Sequence, residues 1–164
     1  MALEEILYYI HEDYSSPPRY LTRSDDQVEL KSKGITPEEQ LLQQWVVIED
    51  RSHPSREVYE IHHSDVGKDP KALMKAFYVP RNGPSPDGQD IEPYSFQLRR
   101  VRDDEPRDSS YETRWFIAHA GGDKYNIFGF DKPSLQEVVI QNDSPMVASS
   151  AGVRHSWHFT PVNS

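Results

Sequence analysis

The chain has 164 residues, a net charge of −9, 35% hydrophobic and 11% aromatic residues, and no cysteine. This is one domain's worth of sequence with apolar content for a single core. The acidic balance excludes nucleic acid and anionic membrane surfaces as partners, and the absence of cysteine excludes disulfides and thiolate metal sites.

Met1 to Tyr14 has no basic start, no long apolar run and no small-residue cleavage site, so it does not read as a signal peptide. No run approaches the ~20 apolar residues of a membrane helix. The expectation is a soluble, cytoplasmic monomer. Asn142-Asp143-Ser144 has the form of a glycosylation acceptor, which without a secretion signal carries little weight.

In chain order, short runs rich in β-branched and aromatic residues predict strands at 6–10, 19–23, 28–32 and 45–49. Further runs follow at 58–61, 72–79, 96–101, 114–118, 125–130, 137–141 and 157–162. Thirteen prolines and eight glycines punctuate them along the whole chain, as in an all-β protein. Thr36 and Pro37 predict a short helix of a turn or two before Trp45. Residues 69–77 are compatible with helix or strand. Gly121-Gly122-Asp123 reads as a hairpin turn.

Self-comparison finds an aromatic-x-Ile triplet at Tyr8, Tyr59 and Trp115, spaced by 51 and 56 residues. A second aromatic strand recurs at Trp45, Phe96 and Trp157, spaced by 51 and 61. Each strand of the second kind precedes a triplet of the first, and the last must pair with Tyr8-Tyr9-Ile10 to close a ring. With two more strands between, four strands taken three times give twelve, the β-trefoil: a six-stranded barrel capped by three hairpins. The alternative is an ordinary β-sandwich. The repeats are drawn at approximately 1–50, 51–104 and 105–164 of a single domain. The expected core is Tyr8, Ile10, Trp45, Val47, Tyr59, Ile61, Phe96, Leu98, Trp115, Ile117, Trp157 and Phe159. Tyr9, Glu60, Gln97 and His158 alternate outward.

Met1, Ala2, Leu3, Glu4, Tyr8, Ile10 and His11 resemble the start of the fungal β-trefoil serine protease inhibitors, the cospin-like family. Val28, Leu30, Pro37, Trp45, Ile48 and Glu49 resemble its third and fourth strands, and Tyr125 to Gln141 a later stretch. The mycocypins, trefoil inhibitors of cysteine proteases, are similar in length and in the closing aromatic strand. The resemblance implies a target protease as partner and binding through a surface loop, without cofactor or turnover. A reactive loop between the second and third strands corresponds to Thr22–Gln27, with Arg23 as the anchor and Ser24 beside it. A mycocypin loop after the fifth strand corresponds to His63–Lys71, carrying Lys68 and Lys71. The long loop Val79–Asp90, stiffened by three prolines, offers Arg81 and Asn82. The plain alternative for each of these residues is a solvated surface side chain.

Gln43-Gln44-Trp45 fits the Gln-x-Trp pattern of ricin-type lectins, but Tyr94-Ser95-Phe96 and His155-Ser156-Trp157 lack the Gln. A carbohydrate-binding trefoil is therefore the second function class. His53, His62 and His63 are close in sequence, but His62 and His63 alternate across a strand and read as surface histidines, not metal ligands. His155 and His158 are read the same way. No nucleophile elbow, phosphate loop or marked carboxylate pair points to an enzyme; Asp103-Asp104 lies in a polar loop of mixed charge.

Overall fold

Antiparallel pairing closes six strands into a ring. The computed structural model describes residues 3–24, 27–54, 57–63, 74–80, 94–95, 97–101, 111–112, 114–130, 137–141, 143–148 and 155–163. Its elements begin with β1 (Leu7–His11), β2 (Arg19–Ser24), β3 (Gln27–Ser32), α1 (Pro37–Leu41), β4 (Gln44–Glu49) and β5 (Val58–His63). Then come β6 (Met74–Pro80), β7 (Tyr94–Ser95), β8 (Gln97–Val101), β9 (Tyr111–Glu112) and β10 (Arg114–Gly121). The last are β11 (Lys124–Gly129), β12 (Glu137–Gln141), β13 (Ser144–Ala148) and β14 (Trp157–Pro161). Around the ring the order is β14, β1, β4, β5, β10, β11 and back to β14. The hairpins β2–β3, β6–β8 and β12–β13 are the capping strands.

The register explains why these residues form a barrel. Tyr8 faces Trp45, Tyr59 faces Trp115, and Tyr125 faces Trp157. Two residues further along, Ile10 faces Phe159, Ile61 faces Val47 and Ile127 faces Ile117. All twelve of these side chains are buried, and they belong to one core cluster. Period-two alternation sends both residues of each pair inward, so every inward layer is filled from three directions. Each of these large apolar side chains contributes roughly 1.5–3 kcal/mol by leaving water. Phe159 packs edge-on to Tyr8 and Tyr125, with centroids 5.8 and 5.2 Å away, a geometry that suits the ring quadrupoles. The segment before β1 ties in from one end: Leu3 N donates to the Tyr59 hydroxyl at 3.1 Å, and Glu4 N to that of Tyr8 at 3.0 Å.

This arrangement corrects the expected phasing of the third repeat. Trp115 is not the counterpart of Tyr8 and Tyr59. It lies opposite Tyr59 and so takes the place that Trp45 takes opposite Tyr8. The counterpart of Tyr8-Tyr9-Ile10 is Tyr125-Asn126-Ile127, and the break between second and third units falls at the β10–β11 hairpin, not at 104/105. Phe96 and the Leu98 and Gln97 side chains lie outside the described residues.

Local expectations fare as follows. Thr36 caps α1: its Oγ1 accepts from Glu39 N at 3.1 Å and donates to Glu39 Oε1 at 3.2 Å, with Pro37 in the first turn. Residues 74–77 of the ambiguous stretch are strand, in β6, and 69–73 lie outside the described residues. Gly121 and Gly122, at φ 113° and 57°, form the β10–β11 turn, where a side chain would be strained. His62 and His63 are not surface residues: β5 is covered by the ring on one face and meets β6 at His62–Ala76, and both imidazoles are buried. Tyr9 points away from the core cluster but is also buried, with Tyr20 edge-on at 6.1 Å and Lys33 Nζ 4.7 Å above its ring. His53 is half-buried against Phe130 and Phe116.

Candidate functional site

The connection from β1 to β2, residues 12–18, is held by a dense set of internal hydrogen bonds. It begins with Glu12, whose carboxylate is fully buried. Glu12 Oε2 accepts from Tyr14 N at 2.7 Å and Ser15 N at 3.1 Å; Oε1 accepts from Arg19 N at 2.6 Å and Arg19 Nε at 3.4 Å. Glu12 N donates to Arg19 O at 3.0 Å, closing the loop at its base. A carboxylate accepting several backbone N–H groups makes charge-assisted bonds, which fix the turn more firmly than neutral ones. The Ser16–Pro17 peptide is cis. The crest is left outward: Tyr14, Ser16 and Pro17 are exposed, and Tyr14 keeps 56% of its surface in solvent.

Two further ties fasten the crest to the barrel. The Tyr14 hydroxyl accepts from Ser156 N at 3.1 Å, and its ring meets His155 at 5.5 Å. Asp13 Oδ2 accepts from His158 Nε2 at 2.9 Å and lies 3.7 Å from Lys124 Nζ. The hydrogen bond from His158 holds the Asp13 carboxyl below its ordinary range. Burial works against the charged form of His158, yet its bonds to Asp13 and Asp123 raise its pKa. Burial likewise opposes ionisation of Asp123, but the His158 bond and charge win and lower it.

The sequence-predicted anchors distribute differently. Arg23 and Ser24 stand in the β2–β3 ladder opposite Val28 and Gln27, so 22–24 and 27 of the stretch drawn as a loop are strand, and 25 and 26 lie outside the described residues. Arg23 N donates to Leu42 O at 2.9 Å, and its Nη1 lies 3.5 Å from His63 Nδ1 in a half-buried setting. The adjacent backbone is committed to its partner strand. Lys68, Lys71, Arg81 and Asn82 lie outside the described residues.

Gln43 and Trp45, the residues of the lectin-like motif, are used internally. Gln43 is buried; its Nε2 donates to Thr22 Oγ1 at 3.1 Å and Ser32 O at 2.9 Å, and its Oε1 accepts from Gly34 N at 2.9 Å. Trp45 is in the core. Among the described residues no group of three or more His, Asp and Glu could hold a metal ion, and no helix is long and apolar enough to cross a membrane.

Sequence reasoning singled out neither Glu12 nor the His158 cluster as functional. The signal for Glu12 was weak, an acidic residue directly after a strand and before Ser-Ser-Pro-Pro. For His158 the signal was its place beside the aromatic core of the closing strand.

Comparison with known proteins fixes the fold class. No protein-family model matches the chain, and no curated protein matches it in sequence. Among solved structures, the designed 3-fold symmetric protein ThreeFoil aligns with a TM-score of 0.59 and 14% identity, covering 95% of this chain and 99% of that one. A mosquitocidal holotoxin aligns at 0.63 and 17% identity over 99% of this chain and 18% of the toxin. A salivary protein from Culex quiquefasciatus of the Cysteine and Tryptophan-Rich family aligns at 0.54 and 13% identity, covering 97% and 95%. Likeness at such identities is likeness of fold. The chain is an all-β protein with a β-trefoil fold, a six-stranded barrel with capping strands.

Proposed function

We propose that this chain is a protein inhibitor of proteases, of serine proteases in the first place. It inserts a preorganised surface loop into the active-site cleft and undergoes no turnover. In this reading the scaffold is a twelve-stranded trefoil of three four-stranded repeats, with β7 and β9 as short additions, and it acts as a cytoplasmic monomer of the cospin-like type. The observation that carries the reading is the loop Glu12–Pro18. A buried carboxylate holds its backbone from below and leaves Tyr14, Ser16 and Pro17 outward. A loop ordered before binding loses little entropy on docking, and that is what converts a standard-sized interface into a tight one. Ser16 and Pro17 are the crest residues this loop presents to the cleft, while Tyr14 braces it against the barrel; Arg23, Lys68, Lys71, Arg81 and Asn82 are the anchors for a pocket that takes basic or amide side chains.

The test is a panel of trypsin-like, chymotrypsin-like and papain-like proteases and legumain, titrated with the full chain. Alanine replacements of Tyr14, Arg23, Lys68 and Arg81 are then made singly. The expected result is stoichiometric inhibition of at least one serine protease, weakened at least tenfold by one replacement, that of the anchor. Absence of inhibition across the panel removes the proposal.

A further inference from the structure

We propose that His158 is a pH-sensitive clasp that ties the β1–β2 loop to the β10–β11 hairpin across the seam where β14 closes the barrel. The inference rests on the geometry of the ring and is independent of the protease reading.

His158 sits on β14 opposite His11 of β1 on one side and Lys124 of β11 on the other. Both of its ring nitrogens meet carboxylates: Nδ1 is 2.9 Å from Asp123 Oδ1 and Nε2 is 2.9 Å from Asp13 Oδ2. A neutral imidazole carries a proton on one nitrogen only, so two ionised carboxylates are satisfied together only by the imidazolium. The groups facing the ring are Asp13 from the loop, Asp123 from the hairpin turn, Lys124 from β11 and His11 from β1. The His11 ring stacks on His158 at 4.7 Å and 3°, and His11 Nδ1 is held by Glu12 O at 2.9 Å. With His158 protonated, Asp13 and Asp123 are balanced by His158 and Lys124. Removing that proton leaves one carboxylate without its donor and one negative charge in excess.

The raised pKa of His158 and the lowered pKa values of its two partners agree with this arrangement. Their signs define a window. The His158 contribution to stability is complete below its unfolded pKa, about 6.5, and is lost as pH rises through the higher folded value. The carboxylate contributions are present above about pH 3.9 and are lost as pH falls through the lowered folded values. The stabilisation by the clasp is therefore complete between roughly pH 4 and 6.5, and the clasp opens as pH rises through the raised folded pKa of His158. On opening, the loop keeps its Glu12 support, the Tyr14–Ser156 bond and the Asp13–Lys124 pair, and the bridge through His158 breaks at Asp13 or at Asp123.

The experiment follows His158 ring resonances by NMR from pH 4 to 9 in the full chain, with thermal unfolding of wild type, His158→Gln, Asp13→Asn and Asp123→Asn over the same range. The expected midpoint for His158 lies above the ordinary histidine value and falls in each Asp→Asn variant. The expected loss of wild-type Tm on going from pH 6 to pH 9 is larger than that of His158→Gln. A His158 midpoint at or below the ordinary value, or one unmoved by both Asp→Asn changes, overturns the proposal. So does a pH profile of Tm that is the same in wild type and His158→Gln. If His158→Gln does not fold, the two Asp→Asn midpoints decide the matter alone.

Discussion

Tyr59 and Trp115 stand directly opposite each other on β5 and β10, the relation that Tyr8 has to Trp45 and Tyr125 to Trp157. The indoles of Trp45 and Trp157 are tied as well as buried. Trp45 Nε1 donates to Leu21 O and Trp157 Nε1 to Val138 O, both at 3.0 Å, so each joins a ring strand to its capping hairpin. Replacing Trp45 or Trp157 by Phe removes the donor and leaves a small void, at an expected cost of about 1–3 kcal/mol. The same positions as Ala are expected to cost about 3–5 kcal/mol. Urea unfolding midpoints check this, and the two sites are expected to behave alike.

Burial raises the phenol pKa of Tyr8, Tyr20, Tyr59 and Tyr125. The folded chain therefore holds phenol protons that the unfolded chain releases near pH 10, and stability falls as pH rises through and beyond that value. Phenolate absorbance is expected to show these four of the nine tyrosines ionising late. Tyr59→Phe, which strips the acceptor from Leu3 N, is expected to cost about 1 kcal/mol.

Glu12→Ala would orphan the N–H groups of Tyr14, Ser15 and Arg19. The expected cost is at least about 2 kcal/mol, since hydrogen bonds to a charged group run near 1.5–3 kcal/mol and not all the donors can reach water. Amide exchange should accelerate at those three residues more than in β4 or β5. Equal protection in wild type and variant would show that the loop is held by something other than this carboxylate.

Gly34→Ala tests the base of α1. A Cβ at this position would lie 2.7 Å from Glu39 Cβ and 2.8 Å from the Glu39 backbone carbonyl carbon. The backbone must shift, which also disturbs Gly34 N on Gln43 Oε1. The expected loss is about 1–3 kcal/mol, read as a lower Tm.

The barrel was legible because its inward residues repeat as large apolar side chains at period two. Tyr8, Ile10, Tyr59, Ile61, Trp45 and Trp157 could be read directly from that pattern. The phase of the third unit was not, because matching any aromatic to any aromatic put Trp115 with Tyr8 and hid Tyr125-Asn126-Ile127 inside a run read as an interior strand. Treating the three tryptophans as one class and the three Tyr-x-Ile triplets as another would have found it. His62 and His63 misled because alternation predicts one exposed residue of two only when one face of the strand meets water. Strand β5 is covered on both. Glu12 and His158 were invisible for a different reason. Glu12 bonds backbone N–H groups two to seven residues on, which carry no side-chain signature, and His158 meets Asp123 and Asp13, 35 and 145 positions away, which no short pattern links.

Ring closure through Ile10 and Phe159 also shapes how the chain reaches its native form. Strand β1 can meet β4 early, but its other edge stays bare until β14 exists, after nearly the whole described sequence has been made. Such late, distant pairing slows folding and leaves an open edge on which another nascent copy could build. The molecule's vulnerable moment is thus its synthesis, and whatever shields that first strand in a translating cell shields the entire fold.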